Sequence, residues 1–489
     1  MGETVCDEKS VKERIKEIGG SALGVHDGRG VFLDAQHARA RFSLRRLWLK
    51  IRLVVGLRPL LVTILRPVFV LAGAAWLAYT LARGRGALFK ASLRGKLVVG
   101  VLLVDVLFWR QVLHIIRDPV YRQALFGHGD KQVKPGLHYR KTARNEQILK
   151  NCGYLKDHAS YVAPFSLKYA DLTTVLPALL YRKKPVRYMR CTLPSQNLQE
   201  PHGITLDFSF PTTQGDGTIM LLFAGVGGDS NEGYVRDTVR AANENGWTAC
   251  VLVARGLGCS IPVDDVHNIF NPCDLSDVLE SLNVLAGLAR RVFLVGFSLG
   301  AISLCNLLGR HADDIPENVA GAVSISGGFK CDFMNWERYR KVYQALIVPK
   351  LLDSLMARYD LDGVFETAQL DHALRAENYM ELYERLLGRL GKSQSPKSFA
   401  QWKRAQEGFD YRQDIKVPLL FFASCDDPLH HPDLMGVHSE TQGNGVDNPN
   451  IIYLLTEEGG HIGWPAGPWP SDFSNVSGII SLFLSNCSE

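Results

Sequence analysis

From about Gly203 to the C-terminus, short apolar runs rich in β-formers alternate with amphipathic stretches of helical period. The runs cover residues 219–224, 248–253, 292–296, 322–326, 418–423 and 451–455. A strand that is apolar along its whole length, with no in–out alternation, is covered on both faces, and strands separated by helices run parallel. The pattern therefore predicts an α/β protein with a mostly parallel central sheet and flanking helices. In such sheets ligands bind beyond the carboxyl ends of the strands, so the chemistry is expected immediately after these runs.

The front of the chain has a different pattern. Residues 1–59 are polar at first and then basic and amphipathic, with Arg39, Arg41, Arg45, Arg46, Lys50, Arg52 and Arg58 interleaved with Leu44, Leu47, Trp48, Leu49, Ile51 and Leu53. Such a segment suits the headgroup level of a membrane. Residues 60–82 are apolar apart from Arg66 and a few small polar residues, long enough to span hydrocarbon as a helix. A shorter run at 97–109 carries Asp105. The expected organisation is an N-terminal region 1–59, a membrane anchor 60–110 (one span or a hairpin), a lead-in 111–200, a core in two parts, 201–330 and 413–489, and between them a charged, helix-like cap 331–412.

After the run at 292–296 comes Gly296-Phe297-Ser298-Leu299-Gly300 and then a helix-like stretch. This is the pattern of a nucleophile elbow, a sharp strand-to-helix turn that lifts a serine above the sheet, with Gly296 and Gly300 letting strand and helix approach closely. After the run at 219–224 comes Ala224-Gly225-Val226-Gly227-Gly228-Asp229-Ser230. Here the backbone N–H of Val226, with that of Leu299, is a candidate oxyanion donor. A phosphate cradle is the alternative for this glycine-rich turn, but the P-loop lysine is missing. After the run at 418–423 stand Asp426 and Asp427, and after the last run Gly459-Gly460-His461. A carboxylate and an imidazole in those places can orient and accept the proton of a serine nucleophile. Asp427 is the first choice of acid and Asp426 the second. His461 is the choice of base, with His430 and His431 as competitors. The order Ser…Asp…His is the one expected of α/β-hydrolases.

Composition narrows this little further. With 489 residues, 46% hydrophobic and 21% charged, the chain can bury a large core. Its charge is uneven: 27 of the 55 Lys and Arg, but only 11 of the 50 Asp and Glu, lie at or before Lys150. A basic front implies an anionic surface. The bases alternate with Leu, Ile and Val rather than with stacking aromatics, which favours a membrane over nucleic acid. The ten cysteines include no Cys-x-x-Cys pair and no zinc spacing, so neither a disulfide framework nor a metal is implied. An acyltransferase-like His-x-x-x-x-Asp, His202 to Asp207, precedes the sheet and is read as a chance match.

Assembled, these residues resemble the membrane-anchored α/β-hydrolases called abhydrolase-domain-containing proteins one, two and three (the AB hydrolase 4 family), a group that includes fungal medium-chain ester synthases and plant embryogenesis-associated proteins. The resemblance runs from about Asn145 to the C-terminus. It is carried by Tyr161-Val162-Ala163-Pro164, Asp171-Leu172-Thr173-Thr174-Val175-Leu176-Pro177, Gly225–Ser230 with Tyr234-Val235-Arg236, Arg255-Gly256-Leu257-Gly258, and the three motifs around Ser298, Asp427 and His461. Ala224 stands where many members have proline or histidine, and the cap matches the group poorly. The resemblance implies the α/β-hydrolase fold, a serine carboxylic ester hydrolase needing no cofactor, a lipid-ester substrate such as an acylglycerol or phospholipid, and an N-terminal anchor. An endomembrane such as the endoplasmic reticulum, with the catalytic part facing the cytosol, is the expected location. Transfer of the acyl group to an alcohol, or non-enzymatic lipid binding on the same fold, are the alternative functions, and the oligomeric state is left open.

Overall fold

A computed structural model describes residues 6–26, 44–56, 133–167, 169–195, 203–260, 263, 265–269, 271–335, 343–390, 396–431, 436–437 and 446–487. The segment expected to be the anchor, 60–110, lies outside the described residues. Among the described residues no helix is long and apolar enough to cross a membrane.

Among the described residues ten strands form one sheet: β1 Ser21–His26, β2 Gly136–Tyr139, β3 Tyr188–Leu193, β4 Ile204–Ser209, β5 Thr218–Phe223, β6 Thr248–Val253, β7 Arg291–Phe297, β8 Val319–Ile325, β9 Leu419–Ser424 and β10 Ile451–Thr456. Their order is β1-β3-β4-β6-β5-β7-β8-β9-β10-β2. The run from β6 to β10 is parallel throughout. The strands β4, β3 and β1 on one side and β2 on the other are antiparallel. Each of the six apolar runs of the sequence coincides with one parallel strand to within a few residues.

The core expected to begin at 201 takes three strands from further forward. β1 and β2 are edge strands that bury no residue fully. An edge strand covered on one side needs no continuous apolar run, so neither carries the pattern that marks the parallel strands. β3 is buried at all six positions, but Arg190 interrupts its apolar run.

The helices are α1 Glu8–Glu17, α2 Leu44–Gly56, α3 Ala143–Asn151, α4 Gly153–His158, α5 Ala170–Leu180, α6 Gly233–Glu244, α7 Ser276–Leu288, α8 Leu299–Arg310, α9 Ala345–Arg358, α10 Thr367–Leu374, α11 Tyr379–Leu382, α12 Phe399–Gln406 and α13 Ser474–Ser485. The sheet separates two apolar layers. Alternation along β5 sends Ile219 and Leu221 to the layer built with α7 and α8, and Met220 and Leu222 to the layer built with α3, α6 and α13. The helices α9 to α12 leave the sheet after β8 and return to it at β9; α9 to α11 build most of a third apolar cluster, joined by Leu49 and Val263, while Phe399 and Trp402 of α12 pack into the first layer. This insertion occupies the stretch read as a cap.

After β5 the chain crosses to β6 on one side, and after β6 it crosses to β7 on the other side of β5. A crevice opens where the direction of winding reverses. The loops that follow β5 and β7 meet there.

Candidate active site

The elbow is built by close packing at two glycines. A Cβ on Gly296 would lie 2.6 Å from the Gly300 carbonyl oxygen, and one on Gly300 would lie 2.4 Å from the Phe223 carbonyl oxygen. No side chain fits at either position. Between them Ser298 has φ 53° and ψ −118°, an uncommon conformation for a residue with a side chain. The surroundings hold it there. The Ser298 N–H donates to the Ile325 carbonyl at 2.9 Å, and its carbonyl accepts from Ala301 at 2.9 Å and Ile302 at 3.1 Å as α8 begins.

Ser298, His461 and Asp427 form one hydrogen-bonded chain. His461 Nε2 is 2.9 Å from Ser298 Oγ, and His461 Nδ1 is 2.8 Å from Asp427 Oδ2. All three are buried, Asp427 completely. Asp427 Oδ1 accepts from the backbone N–H groups of Leu429 and His430, each at 2.8 Å. Burial pushes the Asp427 carboxyl up, and His461, His430 and these hydrogen bonds more than offset it, so its pKa lies below the usual carboxylate range. Asp427 thus stays ionised as the partner of Nδ1, with Nε2 of the same ring turned to the serine hydroxyl.

Asp426 meets the backbone of the loop that carries His461. Its Oδ1 accepts from the Gly460 N–H at 2.9 Å and so fixes the turn that carries His461. Of the competing histidines, His430 packs edge-on against His461 with ring centroids 4.7 Å apart. Its Nδ1 lies 2.7 Å from the Ser326 carbonyl, and burial, with the nearby His461, lowers its pKa to about 3. It is a neutral ring that walls the site.

The His461 loop also rests on groups that sequence reasoning missed. Its N–H donates to Thr174 Oγ1 at 2.9 Å, and a Cβ on Gly460 would lie 2.3 Å from Thr173 Oγ1. The next residue, Ile462, has φ 60° and donates its N–H to Ser326 Oγ at 3.2 Å. The Thr-Thr pair stands in α5, one of the motifs that carried the family resemblance, and that motif was the available signal. Nothing marked Ser326.

The loop after β5 turns tightly beside the serine. Gly228 N–H donates to the Gly225 carbonyl at 3.0 Å, Gly227 has φ +65°, and the Gly225 N–H donates to the Tyr234 hydroxyl at 3.1 Å. A Cβ on Gly225 would meet the Ser298 Cβ at 3.3 Å. Val226, Ser298 and Leu299 line one small apolar cavity with Tyr379, Trp402 and His430, of about 50 Å³. Leu299 opens α8, where the first N–H groups have no carbonyl a turn below them in the helix. A larger cavity of about 130 Å³ adjoins it, sharing Val226, Leu299, Tyr379 and Trp402. Its floor is Phe223, Leu252 and Ala254, and its roof is Leu351, Leu355, Leu387 and Leu390 from the insertion. Among the described residues no cluster of His, Cys, Asp and Glu could hold a metal ion.

A second buried polar cluster flanks this loop. Arg190 Nε and Nη2 donate to the two oxygens of Asp207 at 2.7 and 2.6 Å. His26 Nε2 lies 3.1 Å from the same carboxylate, and the Ser230 hydroxyl donates to it. Arg190 also donates to the Cys259 carbonyl at 2.5 Å. Asp207, the acid of the His-x-x-x-x-Asp match, therefore anchors strands and loops; His202 lies outside the described residues.

A mostly parallel sheet, with a strained serine at a glycine elbow after one strand and Asp427 and His461 after the last two, defines the α/β-hydrolase class. No family model matches the chain. Among known proteins, monoacylglycerol lipase ABHD2 of Danio rerio is 26% identical over 69% of this chain and 82% of its own length. The human protein of that name is 23% identical over 68% and 80%. The putative esterase YheT of Escherichia coli is 25% identical over 63% and 88%. The chain is thus similar to proteins named as abhydrolase-domain-containing. Among solved structures, an esterase of Pyrococcus furiosus aligns over 62% of this chain and 92% of its own, at 14% identity and a TM-score of 0.40. An esterase of Thermogutta terrifontis aligns over 61% and 99%, at 16% and 0.38.

Proposed function

We propose that the protein is a membrane-associated serine hydrolase that cleaves carboxylic esters of lipids, of the acylglycerol or phospholipid type. The observation that carries the reading is the hydrogen-bonded chain Ser298–His461–Asp427, whose serine lines the smaller of two adjoining apolar cavities. The relatives named monoacylglycerol lipase and esterase support the same chemistry. The apolar stretch 60–82 and the basic residues ahead of it support the membrane.

In this mechanism His461 Nε2 takes the proton of Ser298 as Oγ attacks the ester carbonyl carbon. The carbonyl π electrons move onto oxygen, and the backbone N–H groups of Val226 and Leu299 receive that oxyanion. The tetrahedral intermediate collapses, the carbon–oxygen bond to the alcohol breaks, and His461 gives its proton to the departing alkoxide. Water then enters, loses a proton to His461, attacks the acyl carbon and releases the acid while Ser298 regains its proton. Asp427 steadies the imidazolium in both halves. An alkyl chain fits the apolar walls of the larger cavity, where its burial contributes roughly 0.8 kcal/mol per methylene.

An alkyl fluorophosphonate reports the nucleophile directly, because it forms a phosphonyl ester only with an activated serine. The full chain is expected to label, to lose labelling in Ser298→Ala, and to lose ester turnover by about 10⁶-fold in that variant. Labelling that survives Ser298→Ala would remove the assignment.

A further inference from the structure

The helix α2 is turned the wrong way round for water. At about 100° per residue, Leu47, Ile51 and Trp48 share one side of it, and Arg45, Arg52, Leu49 and Arg46 share the other. An aqueous surface helix buries its apolar side and leaves its charges outside. Here the arginine side faces protein. Arg46 Nε donates to Asp353 of α9 at 2.8 Å, and Arg45 Nε to Asp371 of α10 at 2.8 Å. Arg52 caps the carbonyls of Leu374 and Ala376 at 2.6 and 2.7 Å. Leu49 is 1% exposed in the apolar cluster of the insertion. The opposite side leaves Leu47 at 42%, Trp48 at 40% and Ile51 at 53% exposure, with Lys50 exposed beside them.

Turning three guanidinium groups inward while three large apolar side chains face out is favourable when the outer medium is itself apolar. Beyond Gly56, residues 57–132 lie outside the described set, and their sequence opens into the apolar stretch 60–82. The cluster that takes in Leu49 also holds Leu351, Leu355, Leu387 and Leu390, the roof of the larger cavity. The same helix therefore touches the roof on one side and offers an apolar, lysine-flanked face on the other.

We infer that the outer face of α2, made by Leu47, Trp48, Lys50 and Ile51, is a docking surface for an anionic lipid bilayer, and that docking sets the roof of the apolar cavity against the membrane. The inference rests on the lipid-ester reading for its consequence, though not for its geometry. A lipid ester then reaches Ser298 from the bilayer without crossing water.

The test uses the full chain reconstituted in phosphatidylcholine vesicles containing phosphatidylserine. An environment-sensitive label is placed at Ile51→Cys and, as a control, at Asp313→Cys, just beyond the far end of α8, with the unsubstituted chain as background. The label at 51 is expected to be quenched by nitroxide-bearing lipid and shielded from aqueous iodide, and the label at 313 to show the reverse. Iodide quenching at 51 would mean a water-facing helix, and quenching by neither agent a face covered by the protein's own chain; either result overturns the proposal. The second arm compares Leu47→Glu/Trp48→Glu/Ile51→Glu with wild type on a long-chain monoacylglycerol in the same vesicles and on a soluble short-chain ester. The triple variant is expected to lose about tenfold or more on the vesicle substrate, with an unchanged rate on the soluble ester and an unchanged melting temperature. Equal loss on both esters, or loss on neither, counts against docking. A wild type that hydrolyses neither ester while the label at 51 reads lipid would end the hydrolase reading and leave the surface standing.

Discussion

Two buried clusters of this molecule contain a serine, a histidine and a fully buried aspartate, and they are wired differently. Around Asp427 the imidazole stands in the middle, between hydroxyl and carboxylate. Around Asp207 the carboxylate stands in the middle: Ser230, His26 and Arg190 all meet it directly. In the first arrangement the hydroxyl faces a neutral acceptor that can take its proton. In the second it faces a carboxylate already held by a guanidinium. Burial pushes the Asp207 carboxyl up, and Arg190 and His26 more than offset this, so it lies below the usual range and is a poor base. On the proposed reading, the difference between a reactive site and a structural knot is thus the order of contacts along the hydrogen-bonded chain, and the same three residue types serve both.

That contrast can be broken at its two aspartates. Asp427→Asn keeps an oxygen for the N–H groups of Leu429 and His430 but favours the wrong imidazole tautomer. Steady-state assays should show kcat down by about 10⁴, with little change in melting temperature. In Asp207→Ala the buried Arg190 loses its partner, at a cost of about 3–5 kcal/mol by urea titration, while the folded fraction keeps its turnover to within an order of magnitude. Arg190→Met/Asp207→Leu should lie closer to wild type than either single change. A large loss of turnover in stable Asp207 variants would erase the distinction between the two clusters.

A third prediction sharpens the comparison through pH. His430 is lowered to about 3 by burial, with the nearby His461, and His158 to about 4 by burial alone. Both are below the unfolded value of about 6.5, so between those limits the unfolded chain binds more protons than the folded one. Stability should therefore fall as pH drops from about 6.5 towards 4. His158→Gln should flatten that fall by on the order of 1–2 kcal/mol with turnover intact, whereas His430→Gln should flatten it and also alter turnover, since its ring touches His461. Equal slopes for variants and wild type would show that these rings do not carry the acid sensitivity. The smallest effect is expected of Thr174→Val, which removes the acceptor for the His461 N–H. It should cost about 1 kcal/mol in stability, with a modest fall in kcat at unchanged KM.

The parallel strands were legible because each is apolar on both faces, the Ser298 and His461 motifs because glycines mark the turns that follow their strands, and the Asp427 motif because two carboxylates stand at the end of another apolar run. The edge strands β1 and β2 left no such trace, since pairing partners supply through the backbone what side chains do not announce. Asp427 was the first choice of acid and Asp426 the second; Asp427 lies against His461, and no residue pattern marked Asp426 as the acceptor for the Gly460 N–H. Ser326 and His430 were unreadable as supports because their roles depend on tertiary approach between loops far apart in the chain. The basic amphipathic segment around Leu44–Gly56 was recognised, but its orientation was not: periodicity tells which residues share a side, and only Asp353 and Asp371 decide which side turns inward.

The pairing of the sheet's outermost strands also imposes a timetable. β1 is synthesised well before its partner β3, and β2 must wait for β10, where Leu137 pairs with Leu454 far along the chain. Both margins of the sheet therefore close by contacts between residues far apart in sequence, which are slow to form and leave unpaired backbone exposed meanwhile. Until β10 has left the ribosome, β2 therefore has no strand to pair with, and a nascent chain is open to association through that edge.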